Sequence, residues 1–136
     1  MGKVRKKRKN ENLSANMEDY LEAIAVLKRR KNVVRVKDIS TLLSVSKPSV
    51  SGALIALARR NLIVHERYGY IELTDDGRVL AEHIIEKHDM LVKFFTQFLE
   101  ISPEQAEKDA CKIEHVLSQE TYKKLTQYVQ KQTLHT

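Results

Sequence analysis

The stretch from Lys37 to Leu73 most constrains what this chain can become. Lys37-Asp38-Ile39-Ser40-Thr41-Leu42-Leu43 carries apolar residues at helical spacing, with Ile39, Leu42 and Leu43 expected inward, and Ser44-Val45-Ser46 interrupts it. Ser46 is suited to cap a second helix over about Lys47 to Arg60. Pro48 fits that helix's first turn, because the N–H it lacks has no helical partner there. Val50, Leu54, Leu57 and Ala58 make the inward face. Leu62-Ile63-Val64-His65-Glu66 and Tyr70-Ile71-Glu72-Leu73 then read as strands joined by Arg67-Tyr68-Gly69, a hairpin with a basic, aromatic tip. Helix, short break, helix and hairpin in this order predict a winged helix-turn-helix.

In that arrangement the second helix enters the major groove and the wing reaches phosphate or the minor groove. Ser46, Lys47, Pro48, Ser49 and Ser51 are the candidates for the groove surface, with Pro48 offering apolar contact to a thymine methyl. Arg59, Arg60, Arg67 and Tyr68 are the candidates for phosphate contact. A generic helical core with a hairpin and no ligand has the same apolar pattern; the cations on this surface favour DNA.

Around this unit the chain reads as helix. Gly and Pro number only 4 and 2, which leaves few turn residues and predicts a mainly α fold. Ser14 should cap a first helix whose apolar stripe is Leu21, Ile24, Ala25 and Leu27, with Asp19 and Glu22 beside it. Carboxylates in the opening turns are ordinary, since the helix dipole favours them. Val33 to Val36 suits a brief strand. Thr74-Asp75-Asp76-Gly77 opens a long connector helix over about residues 75–99, with Val79, Leu80, Ile84, Leu91, Phe94, Phe95 and Phe98 on its apolar side and His83 and His88 along it. Ser102-Pro103-Glu104 starts another helix and Ser118 a last one bearing Tyr122, Leu125, Tyr128 and Val129. These later helices carry more apolar surface than a small hairpin hides, so a homodimer is expected. The expected division is a basic arm at 1–13, a winged-helix DNA-binding domain at 14–75, and an all-helical metal-binding and dimerisation domain at 76–136.

A net charge of +6 and a pI near 9.4 suit an anionic partner. Lys3, Arg5, Lys6, Lys7, Arg8 and Lys9 crowd the first residues, which read either as a solvated arm or as one that lies along phosphate. The arm has almost no apolar face, so no membrane partner is expected. No apolar run is long enough to span a bilayer and there is no signal-peptide core, so a cytoplasmic protein is expected. The single cysteine cannot form an intramolecular disulfide, and a reduced thiol fits the cytosol.

That cysteine lies in Asp109-Ala110-Cys111-Lys112-Ile113-Glu114-His115-Val116-Leu117. If the segment is helical, Cys111, Glu114 and His115 share a face. Thiolate, carboxylate and imidazole are the side-chain classes that bind transition metals. A packed cysteine beside a Glu-His pair is the commoner arrangement, and the reading gains weight only if Asp19, Glu22 and His88 join it. Together with the thiolate, the carboxylates offer about four negative charges, enough to neutralise a pair of divalent ions. Without metal they would repel one another, which is a physical basis for a switch.

Met17-Glu18-Asp19-Tyr20-Leu21-Glu22, Val45-Ser46-Lys47-Pro48-Ser49-Val50-Ser51, the wing ending Leu73-Thr74-x-x-Gly77, Lys87-His88, and Asp109-Ala110-Cys111-x-x-Glu114-His115-Val116-Leu117-Ser118 resemble the diphtheria toxin repressor and manganese transport regulator family, colinearly from about Ser14 to Val129. The resemblance implies a metal-activated, homodimeric transcriptional repressor of metal-uptake genes that binds a palindromic DNA operator. The implied form has two domains, without the SH3-like domain of the iron-type proteins. Its implied ligands are Asp19, Glu22, His88, Cys111, Glu114 and His115, for one or two ions per subunit. Asp19, Glu22 and His88 follow the manganese-type branch, whose residue matching Cys111 is usually glutamate; the iron-type branch has cysteine there and methionine at Asp19. First-helix carboxylates favour a hard ion such as Mn²⁺, and a thiolate raises affinity for softer ions including Fe²⁺, so the expectation is Mn²⁺, slightly preferred over Fe²⁺. Two other readings compete. A metalloenzyme would use Glu114 as a base beside bound zinc, without any evident catalytic motif. A constitutive winged-helix protein would use Cys111 for packing or thiol-redox sensing.

Overall fold

The computed structural model describes residues 13–66 and 69–134; the basic arm up to residue 12, Arg67 and Tyr68 lie outside the described residues. The chain divides between Glu82 and His83 into two compact units.

In the first unit, α1 spans Ala15–Arg30, and Ser14 Oγ accepts from the Met17 amide at 3.1 Å, as its position predicts. Its buried stripe is Tyr20, Leu21, Ile24 and Leu27. Val34 forms an isolated antiparallel bridge to Ile71, the remnant of the expected brief strand. Helices α2 (Val36–Leu43) and α3 (Lys47–Arg59) meet at 113°, within the helix-turn-helix range. Ser44 makes that turn in the left-handed region at φ 56°. Ile39 alone of α2 is fully buried, while Leu42 is 39% exposed: a helix of two turns presents a narrow face inward, and Leu42 lies outside it.

Strands β1 (Ile63–His65) and β2 (Ile71–Leu73) pair antiparallel with Ile63 opposite Leu73, shorter than the sequence suggests. The wing is pinned at its base. Lys28 Nζ on α1 reaches Glu72 Oε1 at 2.9 Å, and Arg35 donates to the Tyr70 hydroxyl at 3.2 Å with its guanidinium 4.9 Å from the ring centre. Thr74 ties the hairpin to the next helix: its hydroxyl donates to Asn61 O at 2.8 Å and accepts from the Gly77 amide at 3.0 Å. Gly77 packs so closely on Leu62, the residue before β1, that a Cβ would overlap its carbonyl oxygen. The Leu73-Thr74-x-x-Gly77 motif is therefore a closure device, one residue capping the helix and the other clearing space for it.

Helix α4 runs Asp75–Lys93 and continues as a π-helical turn, Phe94–Phe98, closed by Leu99 N to Phe94 O at 3.3 Å. Its buried positions are Leu80, Ala81, Ile84, Ile85, His88 and Leu91, a regular helical stripe that leaves Val79 aside, 52% exposed. In the second unit, the extra residue of the π turn brings Phe94 and Phe98 into a stack at 5.8 Å, with Tyr128 5.9 Å from Phe98. Helices α5 (Pro103–Ile113) and α6 (Gln119–Leu134) complete it, with Ser102 and Ser118 accepting from the Gln105 and Thr121 amides as caps. Ala106, Ala110 and Val129 are buried, whereas Leu99, Val116, Tyr128 and Leu134 are large apolar residues left exposed. Among the described residues no single helix is long and apolar enough to cross a membrane.

Candidate metal centre and nucleic-acid interface

The Cys111 cluster is not wholly helical. Helix α5 ends at Ile113; Glu114 caps it with helical dihedrals, its amide bonded to Ala110 O at 2.9 Å, and His115 falls in the following turn. Glu114 thus keeps the helical rotation that places it above Cys111, whereas His115 is positioned by the turn. Within the second unit, ligand atoms of His88, Cys111 and Glu114 lie within 4.8 Å of one another.

His88 and Glu114 are 9% and 2% exposed, while Cys111 opens to solvent. His88 is gripped at both ring nitrogens, Nδ1 2.7 Å from Glu114 Oε1 and Nε2 2.5 Å from Glu107 Oε1. Its pKa is pushed up to about 9, chiefly by the Glu114 carboxylate, against the opposing effect of burial and with Glu107 adding to the rise. At neutral pH both N–H groups of the imidazolium therefore donate to carboxylates. The other Glu114 oxygen, Oε2, is buried without a hydrogen-bond partner, with His115 Nε2 3.5 Å away. An orphaned carboxylate oxygen in a buried site is costly, and a cation is the partner that its charge calls for. Oxygen, nitrogen and sulfur donors at this spacing fit a divalent transition metal.

Of the other expected ligands, Asp19 and Glu22 lie half-buried on α1 in the first unit, and His115 is half-buried in the second. His83 is exposed on α4 and is not among the described side chains that gather there. Sequence reasoning missed Glu107. Its signal was present: with Cys111 and Glu114 it forms an i, i+4, i+7 series along α5.

On the surface expected to face the groove, Ser46, Lys47, Pro48, Ser49 and Ser51 are all exposed, as is Arg59, while Arg60 is half-buried. Ser46 serves the helix as well: its hydroxyl accepts from the Ser49 amide at 3.2 Å and donates to Ser49 Oγ at 2.9 Å. Ile55, also missed, stands on the same exposed face and is 55% exposed. Arg67 and Tyr68 lie outside the described residues; Gly69 follows with φ 91°, a conformation that glycine adopts freely.

Residues 12–71 match the model of the iron dependent repressor N-terminal DNA binding domain, and residues 74–134 match that of the iron dependent repressor metal binding and dimerisation domain. The chain belongs to the iron-dependent repressor family. The resemblance drawn from its motifs is borne out, as is the mainly α architecture with a winged helix-turn-helix. The transcriptional regulator MntR of Geobacillus kaustophilus is 35% identical over 103 residues, which cover 76% of this chain and 72% of that protein. An HTH-type transcriptional regulator of Methanocaldococcus jannaschii is 31% identical over 120 residues, 88% of this chain and 96% of its own. The solved structure of the manganese regulator SloR superposes with a TM-score of 0.76 at 27% identity, over 84% of this chain and 53% of that one. This chain thus spans about half the length of that structure. The family is one of metal-dependent transcriptional repressors.

Proposed function

We propose that this protein is a metal-activated repressor that binds a palindromic operator as a homodimer and shuts off metal-uptake genes in the cytoplasm. The observation that carries the reading is the buried pair His88 and Glu114 beside the Cys111 thiol, with Glu114 Oε2 lacking a hydrogen-bond partner, in a chain that also holds a winged helix. His88, Cys111, Glu114 and His115 from the helical unit and Asp19 and Glu22 from α1 would hold one or two ions, Mn²⁺ in slight preference to Fe²⁺. A bound divalent ion supplies the positive charge that these carboxylates and the thiolate need at close range. The titles of the manganese regulator SloR and the manganese-activated repressor ScaR among similar solved structures support that preference, and Cys111 is the residue that draws toward Fe²⁺.

The chain's own contribution is geometric. Asp19 and Glu22 belong to α1 of the DNA-binding unit, and Cys111, Glu114 and His115 to the helical unit. Shared ligation would restrict the separations that two recognition helices sample, and only the fraction matching half-sites a helical turn or a multiple apart binds DNA. Exposed Leu99, Val116, Tyr128 and Leu134, with an apolar groove of about 500 Å³ lined by Phe94, Phe98, Leu99, Leu125 and Tyr128, support self-association of the helical unit. Lys47, Pro48, Ser49, Ser51 and Ile55 face the groove in this reading, with Ser46 fixing the start of α3, and Arg59, Arg60, Arg67 and Tyr68 contact phosphate.

The test is an anisotropy titration against palindromic duplexes selected from a random pool, with Mn²⁺, with Fe²⁺ under anaerobic conditions, and with chelator. Binding that needs metal supports the proposal; equal affinity in every condition sinks it. The exposure of Cys111 favours one competing reading, a thiol-redox regulator. Metal-independent binding that peroxide abolishes, and that Cys111→Ser makes peroxide-resistant, would put it in place of metal sensing.

A further inference from the structure

The metal reading needs a lone pair on one nitrogen of His88, and an imidazole that gives one nitrogen to a metal keeps its proton on the other. Which nitrogen is free is decided by what the remaining one bonds to. The two nitrogens of His88 face different surroundings. Nδ1 is directed at Glu114, the buried carboxylate that, with Cys111, gathers within 4.8 Å of the ring. Nε2 is directed at Glu107, one turn earlier on α5 than Cys111, whose side chain is 62% exposed and whose Oε1 sits 2.5 Å away.

We propose that Glu107 is a positioning residue for the metal centre: it takes the Nε2–H of His88 and so turns Nδ1 toward Glu114 and Cys111. This rests on the proposed metal site and adds a member that touches the ligand rather than the ion. The helix makes the arrangement economical. Glu107, Cys111 and Glu114 share one stripe of α5, so a single helix offers two ligands and the group that orients a third. Glu107 also has an anchor of its own, because Ala106 and Ala110 beside it are buried and hold this face of α5 against the unit's core. Removing its carboxylate frees the ring to rotate or to change tautomer, both of which reduce the fraction of His88 ready to ligate.

The experiment is calorimetric titration of the full chain with Mn²⁺, for wild type, Glu107→Ala, Glu107→Gln, Glu107→Asp and His88→Ala. Nitrogen-15 spectra of the Zn²⁺-loaded chain accompany it, to report which His88 nitrogen carries the proton. Glu107→Ala is expected to weaken Mn²⁺ binding by about 10–100-fold, the range typical of lost carboxylate partners of ligating histidines. Glu107→Gln, which keeps an acceptor of the same shape, should recover part of that loss and guards against a variant that merely folds poorly. Zn²⁺-loaded wild type should show the proton on Nε2, a signature that a purely structural glutamate would not set. The proposal is overturned if Glu107→Ala and Glu107→Gln both bind like wild type while His88→Ala does not, or if the metal is found on Nε2. Should His88→Ala also bind like wild type, the metal site itself fails, which is a separate result.

Discussion

The two units solve the problem of polar groups in opposite ways. In the DNA-binding unit they are matched within the unit: Lys28 with Glu72, Arg35 with Tyr70, Lys31 with Asp38 at 2.8 Å, and Thr74 with Asn61 and Gly77. Each of these fixes the hairpin or a helix start. In the helical unit the buried charge is concentrated on His88 and Glu114, and one Glu114 oxygen has no hydrogen bond. A reader of DNA must present a fixed surface, and its contacts are satisfied in advance. The proposed metal site instead leaves a buried carboxylate oxygen without a hydrogen bond, the place a bound cation would complete.

The largest way to break this contrast is to remove the incomplete group. Saturating wild type with Mn²⁺ at about 100 times its dissociation constant should raise unfolding stability by about 2.7 kcal/mol. Glu114→Gln should lose that shift and bind Mn²⁺ more than about 100-fold more weakly, beyond the effect of an outer partner. Thermal melts with metal and with chelator decide it; a wild-type shift in the variant would mean that Glu114 is not a ligand.

In the matched unit the damage comes instead from backbone packing. Gly77→Ala should cost about 1–3 kcal/mol in urea unfolding, because its methyl has a main-chain carbonyl rather than a flexible side chain in its way. A neutral result would show that α4 and the Leu62 backbone separate easily.

The pH dependence separates proton from metal. The Glu114 carboxylate, with Glu107 adding to it, pushes the His88 pKa up to about 9 from an ordinary 6.5 against the opposing effect of burial. The folded-state pKa of His88 is raised, so its contribution to stability is complete below about 6.5 and disappears as pH climbs through about 9. In the proposed site a metal on His88 displaces that proton, so apparent Mn²⁺ affinity should gain about tenfold per pH unit on approaching 9 from below, as far as His88 alone governs it. Proton release measured by titration in buffers of different ionisation enthalpy checks this, and release that does not change in His88→Ala would assign the proton elsewhere.

Smallest is the cap of the recognition helix. Ser46→Ala should cost about 1 kcal/mol of stability. If DNA affinity falls further than folding explains, the serine also meets a base or phosphate.

The winged helix was legible because its signals are local. Ser14, Ser46, Ser102 and Ser118 each cap the helix expected of them, and the apolar stripes of α1 and α3 are regular. Local pattern misled where a helix presents only a narrow face, as at Leu42, Ala58 (exposed, with Ala53 buried on α3 instead) and Val79, and where the end of α5 had to be placed. The π turn at Phe94–Phe98 was not visible either, since shifting a helix by one residue depends on where its aromatic rings pack.

By itself, then, the sequence determined the element order, the helix starts and the types of donor atom available, because capping and periodicity act over a few residues. Tertiary structure decided what depends on distant segments meeting. It buried Glu114 with one oxygen lacking a hydrogen bond and set His88 of α4 between Glu114 and Glu107, so that the i, i+4, i+7 spacing of Glu107, Cys111 and Glu114 acquired a partner on another helix.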